Sequence, residues 1–275
     1  MYTQVRQDEK LLLAAAARRG DEVLRLRDAD LLLGLQGNGL AADVVLVRSL
    51  SHSRALYASR FLEHHGFRVV NASRVIATCG DKAFTSVALA AAGVPTPRTF
   101  VAFSPESALR AIEDVGYPAV LKPIVGSWGR LVAKVSDREE AEQLLEHKAT
   151  LGHFLHQIFY VQAYVDKPNY DIRSHVVGDR VTSAVRRVSA SWITNAARGA
   201  VCEPQIVTPE IEELSLRAAE AVGGGVLGID LMPDREGALF VHEVNHGMEF
   251  KAAVAATGFD LPGAILEYVA EVARR

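Results

Sequence analysis

The 275-residue chain has little of what marks several large classes of protein. It contains only two cysteines, Cys79 and Cys202, too few and too far apart for a disulfide framework, and no cysteine or histidine spacing matches a zinc site. No apolar run approaches the roughly 20 residues of a membrane span, and the first residues lack the apolar core of a signal peptide. We therefore expect a cytoplasmic protein without a membrane partner.

An excess of charge of one sign is also missing. The chain has 30 Lys and Arg against 33 Asp and Glu, a net charge of −3, which argues against nucleic acid as a partner. Between Val44 and Gly80, however, Glu63 is the sole acid among five arginines. This stretch is either a docking face for an acidic partner or a solvated surface with scattered arginines. The arginines are Arg48, Arg54, Arg60, Arg68 and Arg74.

The common phosphate-binding loops are absent too. The glycine-rich segment 34–39 leads into no convincing helix, so it does not predict a dinucleotide site, and segment 122–130 has neither the GK[ST] sequence nor the helix of a Walker loop. A glycine hairpin flap remains, with Lys122 at its base and glycines that let the backbone approach anionic oxygens. A plain hairpin turn with a solvated lysine is equally compatible. Lys82, at a predicted helix start, is likewise either a phosphate ligand or a surface lysine.

The predicted elements alternate between helix and strand at first and become strand-rich later, which is typical of a mixed α/β (α+β) protein. The clearest linker is Pro95-Thr96-Pro97. Predicted helices cover 7–19, 53–65, 81–92, 105–115, 138–148, 210–222 and 263–273. Predicted strands cover 31–33, 44–47, 68–70, 99–101, 119–122, 131–135, 159–162, 172–177, 180–188, 228–232 and 239–245.

The last two predicted strands bring acids together. At a period of two, Val241, Glu243 and Asn245 share one face of the final strand and His242 lies on the other. In the simplest antiparallel register, Asp230 faces Glu243. Facing carboxylates destabilise a strand pair unless a cation lies between them, and Mg²⁺ is usually held by carboxylates plus phosphate oxygens. The residues predict either a magnesium site or a surface hairpin with solvated acids.

Three further groups of residues suit a nucleotide. The extended segment Gln162-Ala163-Tyr164-Val165 can offer backbone groups to an adenine edge, and Asp171 can accept a hydrogen bond from a ribose hydroxyl. An ordinary interdomain crossover is the alternative. Arg187, Asn195 and Arg198 can stabilise charge on a transferring phosphoryl group or on an oxyanion.

Read in order, these residues resemble the ATP-grasp superfamily over nearly the whole chain. The strings CGDK, VLKPIVGSWGRL, DIR, RRVSASWITNAARGA and EVNHGMEFK look like the branch of carboxylate–amine ligases that load amino acids onto an acidic amino-group carrier protein, the LysX and ArgX types. This branch is related to ligases that add glutamate to a ribosomal protein. The resemblance implies an ATP-grasp fold with a pre-ATP-grasp α/β domain at 1–80, a central flap subdomain at 81–155 and a C-terminal antiparallel-sheet subdomain at 156–275.

The resemblance also implies an activity and a set of site residues. ATP and one or two Mg²⁺ ions would be the cofactors, and a LysW-like carrier and an amino acid (α-aminoadipate, glutamate or a relative) would be the substrates, in lysine, arginine or a specialised biosynthesis. A homodimer or homotetramer is expected. The implied ATP ligands are Lys82, Lys122, Gly126, Ser127, Trp128, Gly129, Gln162, Ala163, Tyr164, Val165 and Asp171. The implied catalytic residues are Arg187, Asn195 and Arg198, and the implied metal ligands are Asp230, Glu243 and Asn245.

The chain departs from its relatives at a few positions. Gly247 replaces a usual threonine, and Ala252-Ala253 match neither the Asn-led pair associated with α-aminoadipate nor the Gly-Phe pair associated with glutamate. The first strand is expected to be shortened or displaced. The alternatives to a carrier ligase are a glutamate ligase for another protein tail and a non-catalytic ATP-binding regulator.

Overall fold

The structure is a computed structural model, and it describes residues 1–37, 39–126, 128–150, 157–194 and 199–275. The N-terminal part contains helices α1 (Gln7–Arg19) and α2 (His52–His64) and the parallel strands β1 (Val44–Leu46) and β2 (Arg68–Val70). Helix α1 ends at Gly20, whose φ of 77° closes the helix as predicted. Tyr2 forms isolated bridges beside Arg27 and Arg48, so the chain start runs alongside this small sheet.

The predicted strand at 31–33 is wrong. A 3₁₀ turn (Asp28–Asp30) precedes this segment, and Leu32 is 92% exposed. Its three consecutive leucines have the composition of a buried strand, but they have no partner strand within the described residues.

Two short helices follow strand β2: α3 (Ser73–Gly80), which was not predicted, and α4 (Lys82–Ala91). Asp81 separates them because its carboxylate accepts hydrogen bonds from the backbone N–H groups of Ala83 and Phe84.

The central part is an antiparallel sheet covered by two helices. Its elements are β3 (Thr99–Ala102), α5 (Pro105–Val115), β4 (Ala119–Lys122), β5 (Ala133–Val135), α6 (Arg138–Thr150) and β6 (Phe159–Ala163), and the strand order is β3-β6-β4-β5. Strand β5 begins two residues later than predicted, since Leu131 has a φ of 55° and is 72% exposed. The loop between β4 and β5 is the predicted flap.

The C-terminal part is a five-stranded antiparallel sheet of order β11-β10-β7-β8-β9. Its elements are β7 (Tyr170–Val177), β8 (Arg180–Val188), β9 (Val201–Gln205), α7 (Pro209–Val222), β10 (Val226–Pro233), β11 (Leu239–Asn245), α8 (Lys251–Thr257) and α9 (Leu261–Arg274). Strand β9 and helix α8 were not predicted. Thr208 caps α7 ahead of Pro209, as predicted.

The five-stranded sheet has one apolar and one charged face. Leu227, Ile229, Val241 and Val244 are fully buried and belong to the same core cluster as residues of α7. The opposite face carries Asp171, Arg173, Arg187, Asp230 and Glu243 into the cleft beside the central sheet. This division places these five charged residues on the cleft side. Throughout the described ranges, no helix combines the length and apolarity required to cross a bilayer.

Candidate active site

A cavity between the central and C-terminal sheets collects most of the predicted ATP and metal residues. Its lining includes Lys82, Lys122, Gly126, Trp128, Gly129, Gln162, Ala163, Tyr164, Val165, Asp171, Arg187, Asp230 and Glu243. Asn245 lines an adjoining second cavity, together with Glu243 and Arg187. Three further predicted residues, Ser127, Asn195 and Arg198, lie outside the described residues. The residues that line the first cavity come from one helix, six strands and three loops, and the fold brings them to one place.

Lys122 is a deeply buried lysine of the cavity. It ends strand β4, is 6% exposed, and donates to the side-chain oxygen of Gln162 at 2.6 Å while its Nζ lies 3.1 Å from Nδ1 of His242. Burial lowers the pKa of Lys122 to about 7; the negative charge of Glu243 opposes this effect and the positive charge of Lys82 adds to it. The site therefore holds a lysine that would gain from an additional negative charge nearby.

Lys82 connects the flap to the acidic strand. It is the first residue of α4, and its Nζ donates to the backbone oxygen of Gly126 at 2.7 Å and lies 3.1 Å from a carboxylate oxygen of Glu243. A second cation is thus placed between the glycine loop and the predicted metal ligand. A phosphate chain entering under the flap would meet both lysines.

The register of β10 and β11 confirms one prediction and corrects another. Asp230 pairs with Glu243, as predicted, and Gly228 pairs with Asn245, but the register shifts between Asp230 and Leu231, so His242 is an extra residue on β11. Val241 consequently points into the core while His242 lines the cleft cavity with Glu243. Strict alternation had assigned the opposite faces, because a bulge cannot be read from alternation alone.

Asp230 is held by two arginines. It is 1% exposed, and its oxygens accept from Nε and Nη2 of Arg173 at 2.6 and 2.7 Å, while Nη2 of Arg187 lies 3.3 Å away. Burial alone would raise the pKa of Asp230, but the two guanidinium groups hold it well below its usual range. Asp230 is therefore a carboxylate at any physiological pH.

The donor set suits Mg²⁺ in its chemistry. Asp230 and Glu243 are facing carboxylates, and the amide of Asn245 lies beside them, with its Nδ2 3.4 Å from Asp230. The amide would present its oxygen to a cation by turning about its last bond. Across the described ranges, no group of three or more histidine, cysteine, aspartate or glutamate side chains could hold a metal ion. The candidate metal site therefore depends on the Asn245 amide as its third ligand. In this structure Arg173 and Lys82 balance the two carboxylates.

Where the cavity meets the segment predicted to contact adenine, the side chains are largely occupied by protein partners. Gln162 accepts from Lys122 and donates to the hydroxyl oxygens of Thr99 and Tyr160, so its side chain orients the lysine. Asp171 accepts from Arg187 at 2.6 and 2.7 Å and from Thr194 at 2.5 Å. A ribose hydroxyl would therefore share the Asp171 carboxylate with these two side chains.

Arg187 connects the carboxylates of Asp171 and Asp230. It is 3% exposed and bridges Asp171 and Asp230. Burial disfavours its charge, but the two carboxylates raise its pKa above the usual value, so it is a permanent cation. It lines both cavities, which places a fixed positive charge between them.

Several cavity residues were not predicted individually. His242 was assigned to the wrong face, and Lys167, Trp192 and Thr194 were not singled out as ligands. Trp192 and Tyr164 form an edge-to-face pair at 6.2 Å, and Lys134 lies 5.0 Å from the Tyr164 ring centroid. These rings meet from different elements, so no local pattern marks them; only the string RRVSASWITNAARGA contained Trp192 and Thr194.

Comparisons with known proteins agree with this geometry. The family model described as RimK-like ATP-grasp domain matches residues 79–269, and that described as LysX preATP-grasp domain matches residues 1–78. The alpha-aminoadipate–LysW ligase LysX of Saccharolobus solfataricus is 35% identical over 97% of this chain and 98% of its own. The glutamate–LysW ligase ArgX of Sulfolobus acidocaldarius is 33% identical over 96% and 95%, respectively.

A solved structure extends the comparison to the fold. The crystal structure of an ATP-grasp RimK domain protein from Sphaerobacter thermophilus superimposes with a TM-score of 0.83 at 26% identity, covering 97% of both chains. Two lysines that face paired carboxylates beneath a glycine flap, between two antiparallel sheets, define an ATP-grasp enzyme. The chain belongs to the RimK-like ATP-grasp family, with a LysX-type preATP-grasp domain at its N-terminus. It is accordingly an ATP-dependent ligase that forms amide bonds.

Proposed function

We propose that the chain joins the amino group of an amino acid to the side-chain carboxylate of the C-terminal glutamate of a small acidic carrier protein resembling LysW. One observation carries the proposal: Lys82, Lys122 and the Asp230–Glu243 pair meet in one cleft. The similarity to LysX and ArgX ligases, which extends over nearly the full length of each protein, supports the choice of carrier.

The reaction has two steps. An oxygen of the carrier carboxylate attacks the γ-phosphorus of ATP, a P–O bond forms, and ADP leaves. The neutral amino group then attacks the carbonyl carbon of the acyl phosphate, phosphate leaves, and the nitrogen loses a proton as the amide forms. Bound Mg²⁺, held by Asp230, Glu243 and Asn245, would neutralise charge on the phosphoryl oxygens.

The protein residues bind, orient and shield the reactants. Lys122 and Lys82 hold the phosphates, and Lys122 is directed toward them by Gln162 and His242. The flap, with positive φ at Trp128 and Gly129, lies over the phosphate end and excludes water from the acyl phosphate. Arg187 supplies a fixed cation between the two cavities, where negative charge develops.

The test combines the purified chain with Mg-ATP, a LysW-like carrier and glutamate or α-aminoadipate. We expect an increase in carrier mass equal to the amino acid minus water, with equal amounts of ADP and phosphate released. A carrier that lacks its C-terminal glutamate is the matched control and should remain unmodified. ADP formation without any carrier adduct would refute the acceptor, and no ATP turnover with any acceptor would favour a regulator. Modification of another protein tail would favour a tail glutamate ligase.

The domain boundaries at residues 80 and 155 and the homo-oligomeric state stay proposals. The boundaries are supported by the change from one sheet to the next near each position. Light scattering on the purified chain would distinguish a monomer from the expected dimer or tetramer.

A further inference from the structure

The candidate metal ligand Asn245 is the last residue of strand β11, and the pairing of β10 with β11 stops at Gly228 and Asn245. Residues 246 to 249 follow, begin with a turn and line the second cavity, whose volume is about 320 Å³. In the proposed function, this cavity takes the incoming amino acid beside the point of phosphoryl transfer. Beyond Asn245, the chain is therefore held by contacts other than a strand ladder.

Asn71 provides such contacts from the N-terminal part. It directly follows strand β2 and is 4% exposed. Its Oδ1 accepts from the backbone N–H of Val226 at 2.7 Å, and its Nδ2 donates to the backbone oxygens of Val226 and His246, both at 2.8 Å. These bonds use both donor hydrogens of the amide. A flipped amide would face each partner with a group of the same kind, so the three bonds fix its orientation.

The Asn71 amide takes the place of a strand partner for β10. Backbone groups of alternate residues point to the same side of a strand. Gly225 bonds toward β7, so Val226 and Gly228 face the opposite side, where β11 ends at the partner of Gly228. Asn71 completes the hydrogen bonding of β10 where β11 leaves it, and its remaining donor holds the first residue beyond Asn245.

The amide fits closely against the backbone of β10. A β-carbon on Gly225 would overlap with Oδ1 of Asn71, so the amide occupies this place because a glycine lies beside it. Gly225 has a φ of 117°, and its neighbour Gly224 has a φ of 76° but open space at the same point. Substitutions at these two glycines therefore separate displacement of the amide from backbone strain.

The bond to His246 distinguishes Asn71 from an asparagine that only fastens two parts of the chain. His246 follows Asn245 directly, so a fixed His246 carbonyl limits where the Asn245 side chain begins. The Asn245 amide has to turn to present its oxygen to a cation, and it can reach one defined point only if its backbone is held. Changing a residue that orients a metal ligand typically lowers metal affinity or activity by about ten- to 100-fold.

We propose that Asn71 is a positioning residue for the metal site. By holding the His246 carbonyl, it sets the Asn245 amide beside Asp230 and Glu243, and it thereby couples the N-terminal part to phosphoryl transfer. The inference rests on the proposed function in its use of Mg-ATP, whereas the carrier and the amino acid play no part in it.

The experiment measures the affinity of the full chain for a non-hydrolysable ATP analogue, without divalent metal and with saturating Mg²⁺. The ratio of the two affinities isolates the contribution of the metal, because Lys82 and Lys122 contact the phosphates in both conditions. Asn71→Asp replaces the donor nitrogen by an oxygen that repels the carbonyls of Val226 and His246. We expect this ratio to fall at least tenfold, while the affinity without metal changes less than twofold.

The control for Asn71 is another buried polar residue. Ser215→Ala removes a hydrogen bond to the Ser174 hydroxyl, between α7 and β7, where both side chains are fully buried. It should lower the melting temperature and leave the affinity ratio unchanged. An equal loss of affinity with and without metal in Asn71→Asp would mark Asn71 as a residue that only stabilises the fold, and would overturn the inference.

A second pair of variants decides the question if Asn71→Asp does not fold. Gly225→Ala should displace the amide and lower the affinity ratio at least tenfold, whereas Gly224→Ala, which strains the backbone without this overlap, should not. An unchanged ratio in Asn71→Asp, or in Gly225→Ala where Asn71→Asp does not fold, would overturn the inference, as would equal effects of the two glycine changes. A metal effect that depends on Asn71, without any carrier adduct, would refute the proposed acceptor alone.

Discussion

Among single residues, Asp230 is the one on which the charge balance of the site depends. Asp230→Asn would leave Arg173 and Arg187 with one carboxylate fewer in a buried environment. Removing one partner of a buried ion pair costs about 3–5 kcal/mol, because the remaining charge is uncompensated. We expect a loss of unfolding free energy in this range and loss of ADP formation, measured by denaturant titration and by turnover.

The control for Asp230 is a surface ion pair. Asp114→Asn breaks the contact to Arg98, in which the Asp114 side chain is 52% exposed, and it should cost less than about 1 kcal/mol. Equal losses in the two variants would contradict the assignment of Asp230 to a buried charge cluster.

Lys122 should make ATP binding depend on pH. Its pKa is about 7 in the free protein, so at pH 8 the side chain is mostly neutral, whereas bound phosphates favour the ammonium form. Binding at pH 8 should therefore take up a proton, and ATP affinity should fall as pH rises from 7 to 9, by up to about tenfold per unit for one proton. Calorimetry in two buffers of different ionisation enthalpy measures the uptake.

Two variants complete this measurement. Lys122→Met should weaken ATP binding and abolish proton uptake, while Lys10→Met, on the exposed side of α1, should change neither. Binding at pH 8 without proton uptake would show that Lys122 is already protonated in the free protein.

Among the secondary-structure elements, α1 supports the loop that leads into α8. Asp8 accepts from the backbone N–H groups of Phe250 and Lys251 at 2.8 and 2.7 Å, and α8 has no side-chain cap of its own. Arg48 donates to the backbone oxygen of Met248 at 2.8 Å, and Arg6 pairs with Glu249. The N-terminal part thereby positions residues that line the second cavity.

Of the two cavities, removing this cap should change ligand binding only in the second. Asp8→Ala is expected to cost about 1–2 kcal/mol of stability, as losses of helix caps do. It should also weaken amino-acid binding about tenfold, with unchanged affinity for an ATP analogue. Asp137→Ala is the control, since Asp137 accepts from the Glu140 N–H at the start of α6 and lies outside the cavity lining. Its stability loss should be similar, with amino-acid binding unchanged.

At the scale of the whole molecule, only part of the basic stretch between Val44 and Gly80 can form a docking face. Arg48 is 9% exposed and pairs with Glu9 at 3.1 Å, so it belongs to the interior and not to a docking face. Arg54 bonds to the buried carboxylate of Asp28, so changing it would also disturb the fold. Arg60 and Arg68 are exposed and remain candidates for contact with an acidic carrier.

Charge reversal on this surface tests the docking proposal. Arg60→Glu with Arg68→Glu should weaken carrier binding at low salt at least tenfold, because attraction between opposite surface charges is lost, and added salt should reduce the difference. The same change in charge at exposed Arg110 and Arg138 serves as control and should have a smaller effect. Equal affinity of the two double variants would place the docking surface elsewhere.

Local rules predicted much of the fold because the relevant interactions are close in sequence. Helix α1 ends where Gly20 permits a left-handed conformation, and α7 begins where Thr208 caps it. The pairing of Asp230 with Glu243 followed from a short connection between two strands. By contrast, β9 and α8 lack a strong local signal, and their positions depend on packing against β8.

The amino-acid sequence by itself determined which chemical groups could meet a nucleotide: two lysines, a glycine flap, an extended segment and a pair of acids. Only the tertiary structure decided how they are used. Asp230 holds Arg173 and Arg187, His242 faces the cleft through a bulge, and Arg48 is buried against Glu9. The reason is physical: periodicity and capping act over a few residues, whereas burial, ion pairing and register shifts depend on partners that are distant in the chain.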